Sequence, residues 1–64
     1  MQNTIKVERA ILNITQEELA KKIGVSRQTI NSIEKNRYVP STELALKLSR
    51  LFAKPVNDFF TLDV

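Results

Sequence analysis

The sequence predicts an all-α fold: five short helices in one domain over residues 1–64, ending in a short extended C-terminal tail. Three observations predict it. Apolar residues recur at spacings of three and four, as one face of a helix requires, while the alternation a half-buried strand needs never persists. Residues that cap helices stand immediately ahead of the apolar stretches, at Thr15, Ser26 and Ser41. A chain of 64 residues with no repeat, low-complexity tract or linker has room for one core and nowhere for a domain boundary to fall.

The first helix spans Thr4 to Leu12, with Ile5, Ile11 and Leu12 at helical intervals and Asn3 or Thr4 as its cap. Asn13 ends it, because Asn tolerates the left-handed conformation that closes a helix. Thr15-Gln16-Glu17-Glu18 is a capping box, in which Thr15 and Glu18 satisfy each other's free backbone donors. Leu19, Ala20 and Ile23 form the stripe of the second helix, and Gly24 stops it where a positive φ is needed. Ser26 caps the third, which runs to about Lys35 with Ile30 and Ile33 inward. Residues 36–40 are loop, since Pro40 disfavours helix at the residue before it. Ser41 caps the fourth, whose Leu44, Ala45, Leu48, Leu51 and Phe52 share a broad face from which Leu46 departs. After Pro55, residues 56–60 form a fifth, short helix, and 61–64 the tail.

Composition removes whole classes of function. The absence of Cys and His excludes disulfides, zinc sites of the usual ligand types and thiol or imidazole catalysis. One Gly leaves no phosphate-cradling loop or dinucleotide fingerprint. Glu17 and Glu18 have no accompanying nucleophile, and Glu18 serves the cap, so no enzyme activity is expected, and no cofactor, metal or small-molecule ligand. No apolar run exceeds three residues, too short for a bilayer span or a signal peptide. The Asn13-Ile14-Thr15 sequon is then a coincidence of a tight turn. A small, soluble, cytoplasmic domain is the expectation.

Charge is concentrated. Residues 21–37 hold five cations (Lys21, Lys22, Arg27, Lys35, Arg37) and one anion, Glu34, a local net of +4, whereas the rest of the chain is at −1. That is the footprint of a surface that meets a polyanion. Within the same segment, two helices joined by Ile23-Gly24-Val25-Ser26 make a helix-turn-helix over about residues 16–35. On a helical wheel, Ile33 and Glu34 fall beside Ile30, while Lys35, Gln28 and Ser32 lie about 140°, 160° and 200° away and Asn31 about 100°. The outward face is therefore polar, short-chained in its middle and free of acid. Gln pairs bidentately with adenine, Arg with guanine, and the Thr methyl meets thymine. Arg27, Gln28 and Thr29 stand where a recognition helix touches bases. Gln16 opens the second helix, where side chain and backbone N–H meet a phosphate. Asn36, Arg37 and Tyr38 follow the third helix, placed for further backbone contacts.

The run Ile14-Thr-Gln-Glu-Glu-Leu-Ala-Lys-Lys-Ile-Gly-Val-Ser-Arg-Gln-Thr-Ile-Asn-Ser-Ile-Glu34, followed by Tyr38-Val-Pro-Ser41, resembles the lambda-repressor-like (Cro/repressor, XRE) family of bacterial and phage regulators. The likeness covers about residues 3–60. It implies a five-helix DNA-binding domain whose third helix enters the major groove of double-stranded DNA. It implies that Gln16, Arg27, Gln28 and Ser32 contact bases or adjacent phosphates. Ser26, Thr29, Asn31, Lys35, Asn36 and Arg37 match or flank positions used for backbone and occasional base contacts. It also implies an ion pair between Arg9 and Glu34. Asn13 and Asn36 stand where many members have Gly, and Glu8 where an apolar residue is common, so Glu8 faces solvent or joins Arg9 in a local charge cluster.

Phe52 and Phe59 are expected to close the core. Leu46, Val56, Phe60, Leu62 and Val64 then form a homodimer interface, which would space two recognition helices one DNA turn apart, about 34 Å. The function expected is a homodimeric repressor on a palindromic operator, beside the nucleoid, with no residues left for a ligand-sensing domain. An antitoxin or a restriction-modification controller is the near alternative. A protein-interaction module using the basic helix is the distant one.

Overall fold

The computed structural model describes residues 1–63. Four α-helices follow a two-residue strand: β1 (Gln2–Asn3), α1 (Ile5–Leu12), α2 (Gln16–Ile23), α3 (Arg27–Glu34) and α4 (Thr42–Phe52). A single 3-10 turn (Val56–Asp58) and β2 (Phe60–Thr61) complete the chain. The expected fifth helix is thus only that turn. The tail does not trail away: β2 pairs antiparallel with β1, Gln2 opposite Thr61 and Asn3 opposite Phe60. Thr4 N–H donates to the Phe59 carbonyl at 2.9 Å, which extends the clasp. Two residues are too few to show alternation, so no periodicity announces this pairing.

The helix starts follow local chemistry. The Thr15 and Ser41 side chains accept from the N–H groups of Glu18 and Leu44, and Ser26 accepts from that of Thr29. At α1 the cap falls to Asn3: its Oδ1 accepts from Ile5 N–H at 3.2 Å, and Thr4 makes no side-chain cap bond. The helix ends share one device. Asn13, Gly24, Asn36 and Ala53 all have φ between 55° and 77°. The residue after each donates its N–H back to a carbonyl of the preceding turn: Ile14 to Arg9, Val25 to Ala20, Arg37 to Ser32, Lys54 to Ser49. Asn replaces Gly twice without loss of the turn, as its tolerance of this region allows.

The core is formed by Ile5, Leu19, Ala20, Ile23, Ile30, Ile33, Leu44, Leu48, Phe52, Phe59 and Phe60. Phe52 and Phe59 meet edge to face at a centroid distance of 5.1 Å, a geometry worth about 0.5–1.5 kcal/mol beyond the area buried. Phe60 stacks obliquely on Phe59 and is 6% exposed, so it completes the monomer's own core rather than remaining as surplus apolar surface. Val64, expected beside it, lies outside the described residues.

Helix α1 departs from its expected stripe. Ile11 and Leu12 are exposed, at 63% and 41%, and Glu8 is buried at 6%. Ile5 and Glu8, three apart, share the inward face; Leu12 points to the same side but is the last residue of the helix, and Ile11 lies about 120° from Ile5. Glu8 neither faces solvent nor joins Arg9. It receives Lys54 Nζ at 3.0 Å, from just beyond the end of α4. The pair ties α1 to the corner where Ser49 Oγ donates to the Lys54 carbonyl.

Ala53 is the strained member of the four left-handed ends. It is exposed, and an L-residue there costs about 1–2 kcal/mol. The greater chain entropy of Gly offsets about 0.5–1 kcal/mol of the relief. Ala53→Gly is therefore expected to stabilise the protein by about 1 kcal/mol in urea unfolding, with Tm raised by roughly 5 °C. An unchanged or lower midpoint would show that the turn carries no such strain.

Candidate nucleic-acid interface

Helix α3 is held by its two isoleucines. Ile30 and Ile33 are 0% and 1% exposed, against the α2 residues Leu19, Ala20 and Ile23 in the same core. A helix anchored on that side turns Arg27, Gln28 and Lys35 outward, exposed, with Thr29, Asn31 and Ser32 half-buried at the flanks.

Glu34 is the acid that could spoil this face, and it is taken inward. Arg9 Nε donates to Glu34 Oε2 at 2.6 Å, and its terminal nitrogen donates to Oε1 at 3.1 Å. A third Arg9 donor reaches the Ile14 carbonyl at 3.2 Å. The two side chains are 15% and 9% exposed, so this bidentate pair is nearly dry. The hydrogen bond to Glu34 pushes the Arg9 guanidinium above its ordinary value. Gln16 joins the cluster: its amide donates to Glu34 Oε1 at 3.1 Å and, at longer range, to Asn31 Oδ1 at 3.4 Å.

That arrangement refines the role of each candidate residue. Both Gln16 amide hydrogens are directed at Glu34 and Asn31, so the donor left for an anion there is the backbone N–H in the first turn of α2. An open groove of about 570 Å³ runs past this end, from Arg9 and Asn13 across Thr15 and Gln16 to Arg27. The Ser26 and Thr29 hydroxyls meet each other at 3.0 Å, and Ser26 Oγ also accepts from Thr29 N–H in the cap. Asn36 adopts φ 60° and completes the turn that closes α3. Arg37 and Tyr38 are exposed beyond it. Among the described residues, Arg27, Lys35 and Arg37 form no ion pair. The result is a surface of uncommitted cations and short polar groups around one projecting helix.

The helix-turn-helix family model matches residues 5–59. The chain belongs to the XRE-type helix-turn-helix family of DNA-binding transcriptional regulators. It is 53% identical over 60 residues to an uncharacterized HTH-type transcriptional regulator of Methanocaldococcus jannaschii, an alignment that covers 94% of this chain and 91% of the relative. It is 49% identical over 63 residues to another from Archaeoglobus fulgidus, with 98% and 89% covered. It is 44% identical over 63 residues to one from Bacillus subtilis, with 98% and 96% covered. Among the described residues, no helix of this family member is long and apolar enough to cross a membrane.

Local sequence reasoning does not reach two side chains that matter here. Asn3 donates to the Ile33 carbonyl and to Asn36 Oδ1, both at 2.8 Å, 30 and 33 residues away in the chain. Lys54 pairs with Glu8 from 46 residues away. Neither lies in a motif, and only the closed fold brings them to their partners.

Two predictions test the cluster. Arg9→Met leaves a carboxylate in a nearly dry site and is expected to cost about 3 kcal/mol, while Arg9→Met/Glu34→Leu recovers most of that. A cost under about 1 kcal/mol for the single change would show that the pair is not behaving as a buried one. The capping box next to it has an acid-side signature. The Thr15 backbone N–H, at 2.9 Å, and then its hydroxyl hold the Glu18 carboxyl below the usual glutamate value. A depressed carboxylate contributes stability above its unfolded pKa and loses it as pH falls through the folded value. Urea midpoints should therefore fall less steeply below about pH 4.3 in Glu18→Gln than in the parent. Parallel pH profiles would contradict the assignment.

Proposed function

We propose that this chain is a sequence-specific repressor that binds double-stranded DNA as a homodimer on a palindromic operator. The observation that carries the reading is the acid-free outward face of α3, flanked by Arg27, Lys35 and Arg37, in a member of a DNA-binding family. At about 1.5 Å per residue its eight residues reach about 12 Å, enough for a few base pairs of one major groove. Arg27, Gln28 and Ser32 read base edges, with Thr29 offering its methyl group and Asn31 its amide hydrogens. The first turn of α2 at Gln16, with Lys35, Arg37 and Tyr38, holds phosphates on either side, and Asn36 shapes the turn that carries Arg37 and Tyr38. Ser26 serves chiefly by fixing the start of α3. Repression is steric, because a protein seated in the groove blocks polymerase, and the site of action is the nucleoid in the cytoplasm.

An apolar groove of about 280 Å³ at the far end supports the dimer. Met1, Val39, Pro40, Ala45, Leu46, Val56 and Phe60 line it. Val39 and Leu46, both lining it, are 66% and 59% exposed, and an exposed apolar patch is the usual mark of an interaction site; Leu62 is 77% exposed. Phe60 contributes only the part of its ring that reaches the groove. Half-sites one helical turn apart would require the two recognition helices of such a dimer to lie about 34 Å apart.

Duplexes selected from a random pool provide the test. Gln28→Ala is expected to lose about 1–3 kcal/mol on the selected sequence and little on random DNA. Equal losses on both would remove Gln28 from the base-reading set. Affinity should also fall steeply between 50 and 200 mM salt, as several phosphate contacts require. In sedimentation at tens of micromolar the chain should run as a dimer and Leu46→Glu as a monomer. A parent that stays monomeric at that concentration would defeat the dimer.

A further inference from the structure

We propose that Asn3 is a positioning residue for DNA contact: it locks the end of α3 and the Asn36 turn so that Arg37 is presented to a phosphate in one place. The inference rests on the DNA-binding reading above and extends it to a residue outside the helix-turn-helix.

The end of α3 is already closed by its own backbone. Asn36 N–H donates to the Ile33 carbonyl at 3.0 Å, and Arg37 N–H to the Ser32 carbonyl at 2.9 Å. The Asn3 bonds come on top of that closure. One amide hydrogen of Asn3 goes to the same Ile33 carbonyl, at 2.8 Å, and the other to Asn36 Oδ1, at 2.8 Å. Asn36 in turn donates through Nδ2 to Gln2 Oε1 at 3.2 Å. The carboxamide of the left-handed residue is thus gripped at both its oxygen and its nitrogen by consecutive residues of β1. That strand is itself fixed, by pairing with Phe60–Thr61 and by the bond from Thr4 N–H to the Phe59 carbonyl, next to the buried Phe59 and Phe60 rings.

The next residue along the chain is Arg37, exposed and without an ion pair among the described residues. A capped helix end keeps its hydrogen bonds while the residues beyond it swing. Pinning the Asn36 side chain to the body of the domain removes that swing. A cation held where its phosphate will be loses less freedom on binding. The chemistry also selects Asn over Asp at position 3. The two atoms it meets, Ile33 O and Asn36 Oδ1, are both acceptors, and a carboxylate would face them with no donor.

The test measures binding of a selected duplex of about 20 base pairs from 50 to 200 mM salt, for the parent, Asn3→Ala, Arg37→Ala and the double variant. Asn3→Ala should reduce affinity about three- to tenfold at the lowest salt and lower the salt slope by about 1, as loss of one phosphate contact does. In the Arg37→Ala background the same change should have no further effect. Multiplying losses, or an unaltered slope, would overturn the proposal. Asn36→Gly guards against a folding artefact: it keeps the left-handed turn, removes the carboxamide that Asn3 grips, and should reproduce the loss of slope at undiminished Tm. A DNA-free readout separates this inference from the reading beneath it. Backbone order parameters at residues 36–38 should drop in Asn3→Ala. Unchanged order parameters overturn the positioning role whatever the DNA results. Lowered order parameters with no salt-dependent duplex binding by the parent would instead overturn the DNA reading, and the role assigned to Arg37 with it.

Discussion

Around Glu34 three helices meet through charge-assisted hydrogen bonds: Arg9 of α1 holds both carboxylate oxygens, and Gln16 of α2 holds one of them. This cluster does two things at once. It fastens α1 and α2 to the C-terminal end of α3, and it withdraws from the surface the one acid between residues 21 and 37. A polyanion meeting an exposed carboxylate at 4 Å is opposed by about 1 kcal/mol even in water, and by more where water is thin. The outward polarity of α3 depends on the ion pair as much as on the isoleucines that anchor it.

The same economy appears at the ends of the chain. A domain of this size buries little surface, and its core offers few residues with which to order its periphery. The termini do that work by hydrogen bonding, β1 with β2 and Asn3 with the α3 end. Glu8 and Lys54 do it by charge, where an apolar residue on α1 would have served the core directly. Such a pair contributes little net stability once desolvation is counted, yet it fixes one packing of α1 against the α4 corner.

Much of this was legible in the sequence, and the failures have physical causes. The capping box at Thr15, the stripes of α2 and α3 and the left-handed ends at Asn13 and Gly24 follow from local rules, and the structure has them all. The orientation of α3 followed from the spacing of Ile30 and Ile33 alone. The Arg9–Glu34 pair did not: no local pattern links residues 25 apart, and only family likeness pointed to it. The stripe of α1 failed at Ile11 and Leu12 because a helix this short is placed by a few tertiary contacts. The burial of Glu8 depends on a lysine 46 positions away. The left-handed Ala53 gave no signal, since Ala is the best helix former and no guide to where a helix stops.

Entry of the Gln28–Ser32 face of α3 into the major groove can be tested chemically on the DNA. Methylation of guanine N7 probes that groove directly, and methylation of adenine N3 probes the minor groove. On a selected duplex whose half-sites contain both bases, N7 methylation of guanines at the half-site centres is expected to block binding, and N3 methylation of adenines in the same half-sites to be tolerated. Binding that ignores N7 methylation and is abolished by N3 methylation would contradict major-groove entry.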